Sequence, residues 1–564
     1  MAANKVTIFG KLLEVLKYEK EEISAIYFYA IISGLVQLSL PMGIQSIIGF
    51  VLGGAISTSL ILLIVFVIAG VFVAGLLQVN QMKIIEKIQQ QLFVRYSFQY
   101  AHTIPNLSLK DVDGYYLPEL VNRFFDTVSL QKGISKLLLD VPAATIQIIF
   151  GLTLLSFYHP VFIFFGMTLL LVLYLILRAT GNKGIQTSIE ESNYKYKVAG
   201  YLEELARVVT TLKFSRGNRL HINRTDEHTA GYLKSRTAHF RILVFQYWTL
   251  IGFKVVITSA MLIIGSILLV NQQLNIGQFI AAEIVILMVI SSVEKLIINL
   301  DKVYDVLTSV EKITKLTEKP VEQTGSIPLD TSEGISVTAR NLSFSYQEGR
   351  QVLRQVSFEI GAGEKVCLQG SYSSGKSTLL RLLTGVYPIT EGSLYINEIP
   401  VNSYDISSLR SNSAIMLHLQ DIFQGSLRDN ICMGDDTVSI AQMEKLASLV
   451  GLKPFINSQR EGYDTMLHPA GQHLSGRVIR KILLMRALVH RPKLLLLEEP
   501  WLGLEEMYRQ RIQNYLLQEL PDTTVIVVSN DQEFGRQCDK TIVLKEGSVE
   551  AIIERQYAGD QTNH

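Results

Sequence analysis

Gly370-Ser371-Tyr372-Ser373-Ser374-Gly375-Lys376-Ser377 fits the spacing G-x-x-x-x-G-K-[ST] at every fixed position. It lies between an apolar run, Val366 to Leu368, that reads as a strand and a stretch, Thr378 to Leu383, that reads as a helix. A loop that closes around phosphate needs that context. Its glycines let backbone N–H groups curl around phosphate oxygens, Lys376 supplies a point charge for the β- and γ-phosphates, and Ser377 offers a hydroxyl to Mg²⁺. The loop fixes the C-terminal part of the chain as an α/β nucleotide-binding domain.

Downstream, Lys493-Leu494-Leu495-Leu496-Leu497 reads as a buried strand and ends in Glu498-Glu499-Pro500. Paired carboxylates at the end of such a strand suit phosphoryl chemistry. Glu498 is placed to orient the Mg²⁺ shell, and Glu499 to polarise an attacking water as the catalytic residue. Between the loop and this strand stands Leu474-Ser475-Gly476-Arg477-Val478.

The rest of the 564-residue chain is of another kind. It is 48% hydrophobic and only 18% charged, with a mean hydropathy of +0.27, a mixture expected of a membrane part joined to a soluble part. A formal charge of +1 gives no reason to expect a nucleic-acid partner. The three cysteines, Cys367, Cys432 and Cys538, have no C-x-x-C spacing and imply neither a disulfide framework nor a zinc site. Thr7 to Glu22 alternates apolar residues with Lys and Glu, as an amphipathic helix on a membrane surface would.

No charged residue occurs from Ile23 to Met82, a stretch interrupted at Gly53-Gly54-Ala55, which predicts two spans at 23–50 and 57–80. A second uncharged stretch, Val141 to Leu177, breaks at Tyr158-His159-Pro160 and predicts spans at 137–157 and 160–178. A third pair is expected at 245–270 and 277–299, giving six. The connections after spans one, three and five carry no Lys or Arg. Those after spans two and four carry many, among them Lys83, Lys87, Arg95, Lys110, Arg178, Lys183, Arg207, Arg216 and Arg219. The positive-inside rule makes the latter cytoplasmic. These long connections read as helices extended into the cytoplasm, with tips at 113–122 and 214–220. Lys254 and Glu294 lie at similar depth and either pair with each other or snorkel to the interface. Glu283 is shallower, where exposure to lipid is costly, and is expected to face a polar pathway.

The resulting division is an amphipathic segment 1–22, a six-helix membrane domain 23–315, a polar linker 316–334 containing Pro320, Gly325, Pro328 and Gly334, and a nucleotide-binding domain 335–564. Six spans with long cytoplasmic helices, followed by a phosphate loop, Leu474-Ser475-Gly476 and a Glu498-Glu499 strand end, resemble an ABC exporter half-transporter over nearly the whole chain. The resemblance implies a dimer, with itself or with a second half-transporter, in which two ATP molecules are sandwiched between the loop of one subunit and the Leu-Ser-Gly motif of the other. It implies ATP and Mg²⁺ as cofactors, with Tyr346 stacking on adenine. Gly370 to Thr378 would hold phosphates, Ser475 and Gly476 the partner's nucleotide, Ser377 and Glu498 the metal, and Glu499 would act as base. It places the protein in a bacterial inner membrane among lipids, with the nucleotide-binding domain in the cytoplasm.

Several family positions depart from the usual pattern. His418 stands where a Gln is expected seven residues before Gly425, Arg477 and Val478 replace Gly-Gln in the signature, and Glu498 replaces Asp. Glu505 replaces Asp in the following loop, Asn530 a switch His, and Pro469 an acid. Arg477 either clashes with the γ-phosphate or pairs with it. Loss of positioned groups of this kind costs about 10²–10³ in rate each, so ATP is expected to bind and turnover to be slow. Gly277-Gln-Phe-Ile-Ala-Ala-Glu283 and Ser292-Val-Glu-Lys-Leu296 resemble the type I secretion and peptide-export branch, which implies a peptide or protein substrate and a periplasmic adaptor. The short segment 1–22 leads to the expectation that no peptidase domain precedes span one. The alternatives are a pseudo-ATPase scaffold that uses ATP as a ligand, and a lipid or drug exporter.

Overall fold

The computed structural model describes residues 8–53, 58–214, 217–346, 351–418 and 421–555. Gly54 and Ala55 of the first expected interruption, Arg216 of the second cytoplasmic tip, and Thr7 lie outside them. The chain forms two units. One runs to Asn106 and resumes from Gly114 to Lys319, and the other comprises Leu107–Asp113 and the chain from Pro320.

The first unit is helical. It contains α1 (Ile8–Lys17), α2 (Lys20–Gln37), α3 (Ser39–Leu52) and α4 (Thr58–Thr103), and, after the short α5 (Leu109–Val112) that belongs to the other unit, α6 (Leu117–Asn122). There follow α7 (Asp126–Tyr158), α8 (Val161–Arg207), α9 (Val209–Lys213), α10 (Leu220–Val270), α11 (Ile276–Ile298) and α12 (Leu300–Thr317). Among the described residues, six helical stretches are long and apolar enough to cross a membrane. Their apolar cores agree with the six expected spans, and their helices run well beyond the apolar windows, as expected of the long connections with tips at 113–122 and 214–220. Thus α4 continues to Thr103 and α8 to Arg207, while α7 begins at Asp126 and α10 at Leu220. Hydropathy marks only the part that lipid must surround, whereas helix continuation depends on packing of the polar part.

Span one is two helices. Pro41 lacks an N–H and its ring would collide with the carbonyl four residues earlier, on Gln37, where α2 ends. The expected amphipathic segment is likewise divided, because Lys20–Glu22 opens α2 and only α1 stands apart. Leu12 of α1 is buried, and Lys11 donates to Glu318 and to Thr314 of α12. Inside the bundle, polar side chains satisfy one another. Gln147 of α7 donates to Gln37 of α2 and accepts from Ser292 of α11 at 2.8 Å, and Tyr158 donates to Gln45 at 2.6 Å. Lys254 and Glu294 do pair. Glu283 is half-buried on α11 and has no ion-pair partner among the described residues.

The second unit opens on residues expected to be a free linker. Instead α12 extends through Thr317, moving the expected boundary at 316, and residues 320–334 lie against the domain. Gly325 N–H donates to Tyr404 O at 2.8 Å, Ile327 N–H to Ser403 O at 3.2 Å, and Arg410 makes a two-toothed ion pair with Glu322. A Cβ at position 325 would come within 2.1 Å of Ser403 O, so the glycine permits this approach. Apolar Leu329 is buried, which a solvated tether would not achieve.

The strands and helices that follow are β1 (Val337–Ser345), β2 (Gln351–Ile360), β3 (Lys365–Gly370), α13 (Lys376–Leu383), β4 (Glu391–Ile396), β5 (Ile399–Pro400), α14 (Ile406–Ser411) and β6 (Ser413–Met416). Next come β7 (Gly425–Ser426), α15 (Leu427–Cys432), α16 (Ile440–Val450), α17 (Lys453–Ser458), β8 (Met466–Leu467), α18 (Gly476–Leu488) and β9 (Leu494–Glu498). The last described elements are α19 (Glu506–Gln518), β10 (Thr524–Val528), α20 (Gln532–Gln537), β11 (Lys540–Lys545) and β12 (Ser548–Glu554). One sheet has the order β12-β11-β3-β10-β9-β6, parallel from β11 to β6, and a second has the order β2-β1-β4-β5. Alternation along the central strands fills two cores. Cys367, Leu495, Leu497, Val525 and Val527 face one, and Val366, Leu368, Leu494, Leu496, Ile526 and Val528 the other. Burial on both faces is why these strands read as unbroken apolar runs. All three cysteines are buried free thiols.

Candidate nucleotide-binding site

The C-terminal ends of the parallel strands β3, β9 and β10 open onto one cleft of about 1440 Å³. Its lining includes Tyr346, Tyr372 to Thr378, His418, Glu498, Glu499 and Asn530. Outside the carboxyl ends of such strands is where open α/β sheets hold ligands.

The loop between β3 and α13 takes the conformation its glycines predict. Gly370 has φ 148° and Gly375 φ 96°. A Cβ on Gly370 would meet Leu544 O at 2.2 Å, and one on Gly375 would meet Leu353 Cδ2 at 2.5 Å, so side chains are excluded from both. Ser373 also has a left-handed φ of 63°. Lys376 Nζ donates to Gly370 O at 2.9 Å and Ser371 O at 2.7 Å, with Ser374 Oγ at 3.3 Å. Burial pulls the Lys376 ammonium below its ordinary pKa, against the opposing pull of Glu499 and Glu498. Gly370 and Ser371 thus offer their carbonyls to the lysine and are not among the residues that line the cleft.

Tyr346 is half-buried at the cleft edge. Its hydroxyl lies 2.9 Å from Thr378 Oγ1, and its ring packs edge-on against Phe344 and Tyr387. Ser377 Oγ donates to Glu498, and the other carboxylate oxygen of Glu498 accepts the His418 N–H at 2.9 Å. Oxygen donors from one hydroxyl and one carboxylate suit Mg²⁺, which takes few protein ligands and completes its shell with phosphate and water. No cluster of three or more His, Cys, Asp or Glu exists among the described residues that would favour another metal.

Glu499 lines the cleft, half-buried, with a left-handed φ of 46°. Burial raises its carboxyl above the ordinary range, partly offset by Lys376 and Arg480. Ser475 and Gly476 do not join the cleft. Ser475 caps α18, its Oγ accepting from Val478 N–H, and both residues are exposed. Arg477 Nη1 lies 3.8 Å from Glu505, which also accepts from Lys481 at 3.2 Å, so two of the departing positions face each other within the chain. Asn530 Oδ1 accepts from the Gly370 N–H at 3.3 Å.

The loop, the paired carboxylates and the helical unit together meet their counterparts in known proteins. The ABC transporter model matches residues 353–502, and the ABC transporter transmembrane region model matches 23–293. The chain belongs to the ABC transporters. Among curated relatives of this transporter, an exotoxin translocation ATP-binding protein of Pasteurella aerogenes is 29% identical over 63% of this chain and 50% of its own length. A glutathione/L-cysteine transport system ATP-binding/permease protein of Haemophilus influenzae is 30% identical over 44% and 45%, respectively. An ATP-dependent lipid A-core flippase of Burkholderia orbicola is 28% identical over 50% and 47%. The alignments to these relatives thus span about half of each relative's length. The transporter's fold is that of a bacterial Atm1-family ABC exporter solved with ATP bound, with a TM-score of 0.85 at 18% identity over 94% of this chain and 95% of the other.

Three residues near the cleft escaped the sequence reading. Arg480 reaches it from α18, Trp501 lines it, and Asp531 holds Arg509 beside it at 2.7 Å. A basic residue in a helix and an aromatic after Glu-Pro carry no spacing that would single them out.

Proposed function

We propose that this ABC transporter is one half of a dimeric membrane exporter that binds Mg-ATP, hydrolyses it slowly and moves a peptide or protein out of a bacterial cytoplasm. The observation that carries the reading is the convergence of Lys376, Ser377, Glu498 and Glu499 on one cleft, in a chain whose other unit has six helical stretches long and apolar enough to cross a membrane. In this reading the loop N–H groups and Lys376 hold the phosphates, Ser377 and Glu498 hold Mg²⁺, and ionised Glu499 takes a proton from the attacking water. Mg²⁺ supplies charge neutralisation of the phosphates. Ser475 and Gly476, exposed at the start of α18, are available to a nucleotide held by the other subunit.

Slow turnover follows from Asn530, whose amide accepts from the loop and carries no charge, and from His418, which meets Glu498 through its backbone and not through a side-chain amide. Arg477 paired with Glu505 favours impairment of the composite site over a built-in γ-phosphate contact. The relative named for exotoxin translocation supports a polypeptide substrate, and an adaptor on the far side of the membrane belongs to the same reading. The lipid A-core flippase keeps lipid as the competing class.

The test is the ATPase rate of purified protein in lipid beside Glu499→Gln and Lys376→Ala. The reading expects a low rate abolished by both changes. Activity untouched by Glu499→Gln removes the catalytic assignment, and no thermal stabilisation by excess Mg-ATP removes ATP binding. ATP-dependent stabilisation without turnover identifies a pseudo-ATPase scaffold instead.

A further inference from the structure

We propose that Arg480 is a positioning residue for the ATPase site, tying helix α18 to the backbone of Glu499 and to His418. The proposal rests on the hydrolytic reading above for its kinetic consequence, and on geometry alone for the tie.

Three basic residues stand near the start of α18, and they part company. Arg477 and Lys481, four apart and on one face, both turn to Glu505. Arg480, about 100° round the helix from Lys481, turns the other way. Its Nη1 donates to Glu499 O at 2.6 Å, and its Nη2 lies 3.3 Å from His418 Nδ1. Because the His418 N–H in turn donates to Glu498 at 2.9 Å, one guanidinium braces both flanks of the acidic pair.

The brace acts where the backbone needs it. Glu499 is not glycine, yet its φ is 46°, a conformation that costs energy unless surrounding contacts enforce it. Among the described residues the contacts to its backbone are Glu499 N–H to Val528 O at 2.9 Å, Leu502 N–H to Glu499 O at 3.2 Å, and the Arg480 bond, the shortest of the three and the one with a charged donor, while the carboxylate itself accepts from the Asn530 backbone. Without Arg480 the turn from Glu498 to Leu502 keeps its anchors to β10 and to itself but loses its anchor to α18. The backbone that carries Glu499 then shifts about the one remaining hold on its carboxylate, the Asn530 backbone, and faces the water it should activate for less of the time. The half-buried guanidinium also places a permanent positive charge beside Glu498 and Glu499.

The turn carries its own reporter. The chain has 2 tryptophans, and Trp501 is buried with its ring centroid 4.7 Å from that of Phe534. In a Trp248→Phe background, Trp501 fluorescence in nucleotide-free protein reads the state of the turn. Arg480→Met is expected to raise acrylamide quenching of Trp501 about twofold and to lower kcat for ATP about tenfold, the scale of one charge-assisted hydrogen bond, with nucleotide Kd within about twofold of the parent. Arg480→Lys is expected to restore most of both, and Arg480→Gln serves if the Met variant does not fold. Unchanged Trp501 quenching in the Met or Gln variant overturns the proposal, as does a loss that appears wholly in Kd or that Lys fails to repair. A parent protein with no ATPase activity removes the hydrolytic reading alone, and the Trp501 comparison still decides the tie.

Discussion

Ser377 Oγ donates to a carboxylate oxygen of Glu498 across the cleft, joining the first turn of α13 to the end of β9. The extra methylene of Glu498, relative to the Asp common at this position, does not take the carboxylate away from the hydroxyl. Both groups therefore remain available to one Mg²⁺. Glu498→Gln and Ser377→Ala are expected to lower Mg-ATP affinity about tenfold while leaving metal-free ATP binding nearly unchanged. Titration of a fluorescent ATP analogue with Mg²⁺ and with EDTA checks this. Wild-type affinity that is the same in both conditions would remove the metal assignment.

The raised Glu499 carboxyl sets the direction of the pH dependence. Burial disfavours its charge, and Lys376 and Arg480 only partly offset that, so its pKa lies above the ordinary 4.5. A base works when deprotonated, so the rate should fall as pH drops through this raised value. The acid limb of kcat is expected above the ordinary carboxylate range. A pH–rate profile taken from about pH 5 to 8 measures it, and a rate flat down to the ordinary carboxylate pKa would exclude Glu499 as the base.

Asp531 is predicted to contribute to stability. One carboxylate oxygen caps α20, accepting from Glu533 N–H at 3.1 Å and Phe534 N–H at 3.2 Å, and the other accepts from Arg509 and from Gln513, each at 2.7 Å. Burial pushes its pKa up, but these donors outweigh that and leave it lowered. A lowered folded-state pKa means stability that is full above the unfolded value of about 3.9 and is lost as pH falls through the folded one. Asp531→Asn should cost about 1–3 kcal/mol at neutral pH, read as a lower Tm, and the gap to wild type should close on acidification below about pH 4. An equal gap at both pH values would assign the effect to shape and not to charge.

These residues also mark what a sequence can and cannot say. Gly370, Gly375, Lys376 and Ser377 were legible because each fixed position answers a requirement of backbone or charge, and Leu494 to Leu497 because burial on both faces leaves no polar choice. Six spans were legible for the same reason, lipid tolerating only apolar side chains. The continuation of α4 and α10 beyond the apolar windows was legible too, in the helical period of the polar connections, whereas the exact helix ends were not, since no residue type marks them. Arg480 was hidden because its partner is a backbone carbonyl, and any residue supplies one of those. The ordered course of 320–334 was hidden because Pro and Gly mark the absence of regular structure, which a packed strap shares with a free tether.

Lys254 of α10 and Glu294 of α11 give the last prediction. The two pair within apolar helices, and their side chains are 34% and 32% exposed on the isolated chain. Neither is fully enclosed, so the pair is worth less than a wholly buried one, but an unpaired charge at a lipid-facing or cavity-facing site is still costly. Lys254→Met leaves a carboxylate without its cation, and Glu294→Leu leaves an ammonium without its anion. Each single change is expected to lower stability by about 1–3 kcal/mol, and the double change, which removes both charges, by less than either single one. Thermal unfolding of the detergent-solubilised protein across the four-member cycle measures the coupling. If the double variant is as damaged as the sum of the singles, the two side chains act independently, and their contact does not stabilise the bundle.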